Sequence, residues 1–252
     1  MRILIGYSMR SGSTLLQHIL AQHSAVRSCS DVSSLPALAA AWLGLGKTGH
    51  RLIKPVDLLY LLPGNGQLKG FDRYVWLVRD PRDSYLSAVE SGYAYLFWPR
   101  GRKEQGIDVG LVKRWQRIAR RYLASPDTWH LVRYEDLVQD PDGTLTALLD
   151  YIALPPQQLL PFSRFNLFNG GDYKLRSTAT VKTSSLYRHT QQLSPKQQDV
   201  FRRYLAPELE AFGYTPGPGE AAEKAFFPPA TKSPSFWGEC VTSVSYCGSG
   251  SR

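Results

Sequence analysis

Ile3-Leu4-Ile5-Gly6-Tyr7-Ser8-Met9-Arg10-Ser11-Gly12-Ser13-Thr14-Leu15-Leu16 reads as a buried strand, a turn of small residues and the start of a helix. The first amides of such a helix have no intrachain partner, and they converge with the positive end of the helix dipole on one spot. The stretch is therefore a cradle for phosphate or sulfate, to which Arg10 adds a fixed positive charge. A plain tight turn is the alternative.

The spacing argues against an ordinary nucleoside triphosphatase. A Walker loop puts four residues between its glycines and Lys before Ser or Thr. Here five residues separate Gly6 from Gly12, Ser13 stands at the Lys position, and the cation has moved into the loop as Arg10. No apolar strand ends in a carboxylate that would clearly serve as a second metal-binding motif. A metal-free phosphosulfate site is the better fit.

A second element supports this. The strand Tyr74-Val75-Trp76-Leu77-Val78-Arg79 runs directly into Asp80-Pro81-Arg82-Asp83-Ser84-Tyr85-Leu86-Ser87. Asp80 is a good N-cap and Pro81 a good first helical residue, so the chain turns into a helix just after Arg79. Arg79 then stands at the carboxyl end of a strand, where open α/β sheets bind ligands. Its planar fork suits a phosphate, and Ser87, about two turns into the helix, supplies a hydroxyl. A solvent-facing salt bridge from Arg79 to Asp80 or Asp83 is the alternative.

With these two elements the chain resembles the sulfotransferases that use 3′-phosphoadenosine 5′-phosphosulfate. In that family a basic residue followed by Ser-Gly-Thr/Ser-Thr holds the 5′-phosphosulfate, and Arg10, Ser11, Gly12, Ser13 and Thr14 match it. The family's second motif, Arg at a strand end and Ser eight residues later, holds the 3′-phosphate. Arg79 and Ser87 reproduce it. Leu131-Val132-Arg133-Tyr134-Glu135-Asp136-Leu137 and Thr183-Ser184-Ser185-Leu186-Tyr187-Arg188 agree further, and the resemblance covers roughly residues 2 to 214. It implies a P-loop nucleotide-kinase-like fold and implies Ser184, Ser185 and Arg188 as a segment closing over the nucleotide. Lys174 and Arg176, after Gly170-Gly171-Asp172-Tyr173, would assist with the 3′-phosphate or belong to a surface loop. The acidic pair of Arg133-Tyr134-Glu135-Asp136 reads as structural, capping the next helix and anchoring Arg133.

The implied reaction moves a sulfuryl group to a hydroxyl or amine by in-line displacement, without metal, much as phosphoryl groups move. Arg10 would neutralise charge on the leaving phosphate, where relatives usually carry Lys; being permanently protonated, it is a poor general acid. For the base the resemblance points to Asp31 in Ser28-Cys29-Ser30-Asp31-Val32, at a place comparable to a Glu of many relatives. A plain helix N-cap is the competing reading of Asp31. His50 is the second candidate base, and Lys54 resembles a Lys found near the sulfuryl group in some glycan sulfotransferases. Either could instead be a surface residue. Two alternatives to this function are kept: a non-catalytic nucleotide-binding relative, and a P-loop kinase using a nucleoside triphosphate.

Composition agrees with a globular enzyme. The chain has 252 residues, 43% hydrophobic and 20% charged, enough for one substantial core. Thirty Lys and Arg against 21 Asp and Glu give a net charge of +9, which suits an anionic co-substrate. No recognisable nucleic-acid module appears. The expected partner is a small-molecule, glycan or lipid acceptor. Three cysteines, Cys29, Cys240 and Cys247, at no zinc spacing, argue against a disulfide framework. The first strand begins at residue 2 and no apolar run approaches the roughly 20 residues needed to span a bilayer. The expectation is a cytoplasmic chain with no transmembrane segment.

Around these motifs, strands and helices alternate. Strands are expected at 2–7, near 26–29, 51–54, 73–79 and 128–133, with helices over about 14–23, 34–43 and 108–124. Such alternation predicts an α/β fold with a mostly parallel central sheet flanked by helices on both faces. The helix over 108–124 carries Lys113, Arg114, Arg117, Arg120 and Arg121 opposite its apolar stripe, read as a solvated face or a basic groove. Ser194, Pro195 and Gln197 form a capping box for a last helix, in which Pro207 predicts a break or kink. Tyr93, Tyr95, Phe97 and Trp98, in the loop from Tyr93 to Gly106, are candidate acceptor contacts or core residues. Beyond Tyr214 the prolines and small residues predict an irregular tail, giving a domain over 1–214 and a tail over 215–252.

Overall fold

The computed structural model describes residues 1–31, 34–45, 49–62, 69–92, 100–162 and 180–214. Five strands, β1 (Arg2–Tyr7), β2 (Val26–Ser30), β3 (His50–Lys54), β4 (Arg73–Val78) and β7 (His130–Arg133), form one sheet in the order β2-β3-β1-β4-β7. Every pairing in it is parallel. Helices α1 (Ser13–Leu20), α2 (Ser34–Trp42), α3 (Pro81–Ser91), α4 (Val109–Leu123), α5 (Tyr134–Gln139) and α6 (Pro141–Tyr151) follow or link the strands. The short α7 (His189–Gln192) and the long α8 (Pro195–Ala211) close the described chain.

β1 lies at the centre, and Ile3, Leu4 and Ile5 are fully buried, as a strand covered on both faces requires. Trp76 on β4 packs edge-on against Tyr60 and Trp129, with ring centres 5.5 and 5.0 Å apart. No side chain fits at Gly6, because a Cβ there would stand 2.3 Å from Trp76. The parallel register aligns Ser30 with Lys54, Tyr7 with Leu77, and Val78 with Arg133. The carboxyl ends of all five strands therefore share one edge, and Ser8, Asp31, Pro55, Arg79 and Tyr134 leave the sheet there.

Two local features depart from the sequence reading. α8 runs unbroken from Pro195 to Ala211 with Pro207 inside it. Pro207 removes one backbone hydrogen bond, but Val200, Phe201, Leu205 and Leu209 are buried on either side of it. Burial of about 1.5–3 kcal/mol per such side chain outweighs a penalty of about 3 kcal/mol. Residues 103–108 form a small antiparallel hairpin, β5 (Lys103–Glu104) with β6 (Ile107–Asp108). Gln105 and Gly106 both take left-handed backbone at its turn, the geometry that joins twisted strands through two residues.

By its internal contacts the chain divides into Met1–Pro218 and Gly219–Arg252. The second unit lies outside the described residues. No helix among the described residues is long and apolar enough to cross a membrane.

Candidate phosphosulfate and transfer site

The loop between β1 and α1 has the geometry its composition predicts. Arg10 and Gly12 both adopt left-handed backbone, at φ 62° and 90°. Gly12 is required twice over, since a Cβ there would lie 2.4 Å from the Tyr134 ring. Gly12 is the N-cap of α1 and offers no side chain to the first amides of the helix, which leaves them directed at the loop. Ser11 is fully buried, and its hydroxyl has no hydrogen-bond partner among the described residues. Gly12→Ala should lower the unfolding free energy by about 1–3 kcal/mol, measured by urea denaturation; an unchanged midpoint would show that the loop tolerates a side chain.

Arg79 sits beside this loop. It is buried, donates from Nη1 to the Arg10 carbonyl at 3.2 Å and from Nη2 to the Ser185 carbonyl at 2.6 Å. Its guanidinium stacks over Tyr134, 4.5 Å from the ring centre, and its Nε has no hydrogen-bond partner among the described residues. An Arg this buried with donors to spare is poised for an anion. Arg10 Nε donates to Ser87 Oγ at 3.1 Å, joining the first and second motifs directly. Arg10, Ser11, Gly12, Arg79, Ser87 and Ser185 thus meet at one place.

The salt bridge alternative for Arg79 is not what forms. Asp80 instead pairs with Arg82, at 2.6 Å, and caps α3 through the Arg82 amide. Asp83 accepts from the backbone and the ring of His189 at 2.8 and 2.9 Å. Glu135, read from the sequence as a helix cap and an anchor for Arg133, accepts from the Asp80 amide and from the Tyr214 hydroxyl. It thereby fixes the turn just after Arg79, and burial pushes its carboxyl up from the ordinary range.

Ser13 is buried and Thr14 half-buried in the first turn of α1. Ser184 is exposed, on the turn Thr183–Ser185, while Ser185 Oγ lies 2.7 Å from Tyr134 Oη. Arg188 is engaged by Glu90 and by Gln192. Lys174, Arg176 and the aromatic residues 93–98 lie outside the described residues.

Asp31 and Lys54 are brought together at the carboxyl edge, with Lys54 Nζ 3.0 Å from Asp31 Oδ1. Asp31 takes left-handed backbone, at φ 48°, and keeps its side chain 39% exposed. Lys54 is 2% exposed and lies 5.0 Å from the centre of the Tyr7 ring. Burial pushes its ammonium below the usual lysine value, opposed by the charge and hydrogen bond of Asp31. The structure does not bring His50 to this edge. His50 opens β3 opposite Val26, while Lys54 ends the same strand, about 13 Å away at 3.3 Å per residue.

One pair at the site escaped the sequence reading. Arg114, assigned to the basic face of α4, is instead 3% exposed and grips both oxygens of Asp57 at 2.8 Å. Asp57 also accepts from the Met9 amide, inside the loop between β1 and α1, and its charge acts on Lys54. An acidic residue set among the apolar neighbours of Val56-Asp57-Leu58-Leu59 was the available signal.

Residues 72–158, which span β4 to the chain just past α6 and include Arg79 and Ser87, match the model of the sulfotransferase family. The omega-hydroxy-beta-dihydromenaquinone-9 sulfotransferases Stf3 of Mycobacterium bovis and Mycobacterium tuberculosis are 27% identical over 158 residues. That match covers 58% of this chain and spans only 37% of the length of those relatives. Among solved structures, the sulfotransferase domain from the curacin biosynthetic pathway superposes with a TM-score of 0.62 at 19% identity, covering 84% of this chain and 97% of that one. Mouse sulfotransferase SULT7A1 complexed with PAP gives a TM-score of 0.57 at 11% identity, covering 83% and 84%. These likenesses fix the fold as the P-loop-like one of sulfotransferases. The segment that carries Arg79 and Ser87 thus matches the sulfotransferase family, and the chain is similar to sulfotransferases in fold.

Proposed function

We propose that the chain transfers the sulfuryl group of 3′-phosphoadenosine 5′-phosphosulfate to a hydroxyl or amine, without a metal. The observation that carries this is the junction of two anion-directed elements. The loop at Arg10–Thr14 meets a buried Arg79 whose Nε has no partner among the described residues, and the two are tied by the bonds from Arg79 to the Arg10 carbonyl and from Arg10 to Ser87. A nucleotide with phosphates at two positions uses both. A simple triphosphate would extend along one loop and leave Arg79 idle.

In this reading the loop amides, Arg10 and Ser11 hold the 5′-phosphosulfate. Arg79, with Ser87 and Ser185 near it, holds the 3′-phosphate. The acceptor O–H or N–H gives its proton to Asp31 as its oxygen or nitrogen bonds to sulfur, and the sulfur–oxygen bond to the 5′-phosphate breaks. Charge grows on that departing phosphate oxygen, and in this reading Arg10 and the first amides of α1 neutralise it. Lys54, held by Asp31, faces the transferring group as a fixed cation. We also place the chain in the cytoplasm, because three cysteines in 252 residues suit a reducing compartment.

Calorimetric titration tests the donor. Adenosine 3′,5′-bisphosphate should bind with micromolar or tighter affinity in the presence of a chelator, and ATP with magnesium at least about tenfold more weakly, the difference expected from one charge-assisted contact. Equal affinity for the two nucleotides, or no binding of the bisphosphate by folded protein, would reject this reading.

A further inference from the structure

From residue 180 to residue 192 the chain is exposed or half-buried except at His189, which is 4% exposed. What draws that side chain inside is a carboxylate. Asp83, 1% exposed in the first turn of α3, accepts at Oδ1 from the backbone amide of His189 at 2.8 Å and from its ring Nδ1 at 2.9 Å. An ionised carboxylate only accepts, so Nδ1 carries the proton. A carboxylate this buried is tolerated only with donors on it, and removing one is costly. The same segment has a second tie to α3, from Arg188 to Glu90, but Glu90 is 44% exposed, and pairs open to water hold weakly. Asp83 and His189 therefore carry the fastening.

The fastened segment reaches the anion site through Ser185, four residues before His189. The Ser185 carbonyl accepts from Arg79 Nη2 at 2.6 Å, and its hydroxyl lies 2.7 Å from the Oη of Tyr134, the ring on which Arg79 stacks. With Nη1 on the Arg10 carbonyl, these contacts set the plane of the guanidinium and the direction of its Nε. Asp83 also follows Arg79 by only four residues, and its pairing with His189, like that of Asp80 with Arg82, engages an acid close to Arg79 in sequence. We propose that His189 is a positioning residue for the 3′-phosphate. Through Asp83 it seats Ser185 against Arg79 and so aims the guanidinium, without itself touching the nucleotide. The inference rests on the donor reading for the identity of the anion, and on the Asp83–His189 pair for the role of His189.

The test compares variants of the full chain by calorimetric titration with adenosine 3′,5′-bisphosphate and adenosine 5′-monophosphate, with urea denaturation of each. His189→Ala removes the ring donor and should weaken the bisphosphate about tenfold, the loss of roughly one charge-assisted bond, while the monophosphate changes by less than about threefold. His189→Asn, whose side-chain amide places an N–H where Nδ1 stands, should restore most of the wild-type preference for the bisphosphate. His189→Gln keeps nearly the volume of the ring but carries its amide at the position of Nε2, so it should behave like His189→Ala. It also keeps the comparison readable should the alanine variant fail to fold. A purely structural role moves other quantities: the urea midpoint falls, both nucleotides weaken together, and the preference survives in every variant. That result overturns the proposal and leaves the donor reading standing, as does a His189→Asn variant no better than His189→Gln. A wild type with no preference for the bisphosphate is the separate failure of the donor reading, and it removes the 3′-phosphate role of His189 with it.

Discussion

Lys54→Met is expected to lower kcat by about two to three orders of magnitude, the loss that follows removal of one oriented donor from developing charge. The affinity for adenosine 3′,5′-bisphosphate should change little, because that ligand lacks the sulfuryl group. The substitution suits the fold: the Lys54 stem is buried beside Tyr7, an unbranched Met follows the same path, and Asp31 remains exposed enough to be solvated. A pH profile separates a charge role from packing. Burial lowers the Lys54 pKa from the usual 10.5, so the protonated form is lost earlier on the alkaline side than for an ordinary lysine. Activity that depends on this cation therefore falls as pH rises through a value below 10.5. In Lys54→Arg the guanidinium stays charged, and that alkaline limb should disappear. A limb that persists unchanged in Lys54→Arg assigns the titration to another group and removes Lys54 from the reaction.

What the sequence showed and what it hid divide along chain separation. The β1–α1 cradle and the β4–α3 turn are local: each is a strand, a cap and a helix start within about fifteen residues, and both stand where the residues predict them. The parallel sheet follows from alternation alone. The partners that tune the site are far apart in the chain, at Asp57 with Arg114, Asp83 with His189 and Glu135 with Tyr214. Which acid meets which base there is decided by strand order, and no local pattern encodes it. Arg114 shows the consequence: helical periodicity placed it among the solvated cations, yet one buried carboxylate reaching across from the end of β3 draws it inside. Of the break or kink expected at Pro207, the break does not occur, because a local rule is outweighed by packing on both sides of it. His50 was proposed by analogy of position, and the parallel register puts it at the end of β3 away from the loop.

Arg79→Ala should weaken adenosine 3′,5′-bisphosphate binding by roughly 30-fold to 1,000-fold, corresponding to about 2–4 kcal/mol for a forked, charge-assisted pair of bonds. Arg79 also has structural duties, since it donates to the Arg10 and Ser185 carbonyls and covers Tyr134. Its loss could loosen the phosphate loop and the 183–185 turn as well as delete a phosphate contact. Adenosine 5′-monophosphate tells these effects apart, because it keeps the 5′-phosphate and lacks the 3′-phosphate. If Arg79 binds the 3′-phosphate, the wild type prefers the bisphosphate strongly, and Arg79→Ala abolishes that preference while the monophosphate loses only a few-fold. If Arg79 acts only by holding the loop, both nucleotides weaken together and the preference survives. Arg79→Lys sharpens the comparison. A lysine restores the charge but cannot span two carbonyls and a phosphate with one planar fork, so it should recover part of the bisphosphate preference and little of the loop's order. Equal weakening of both nucleotides in both variants would move the 3′-phosphate away from Arg79 and leave Ser87 and Arg10 to hold it.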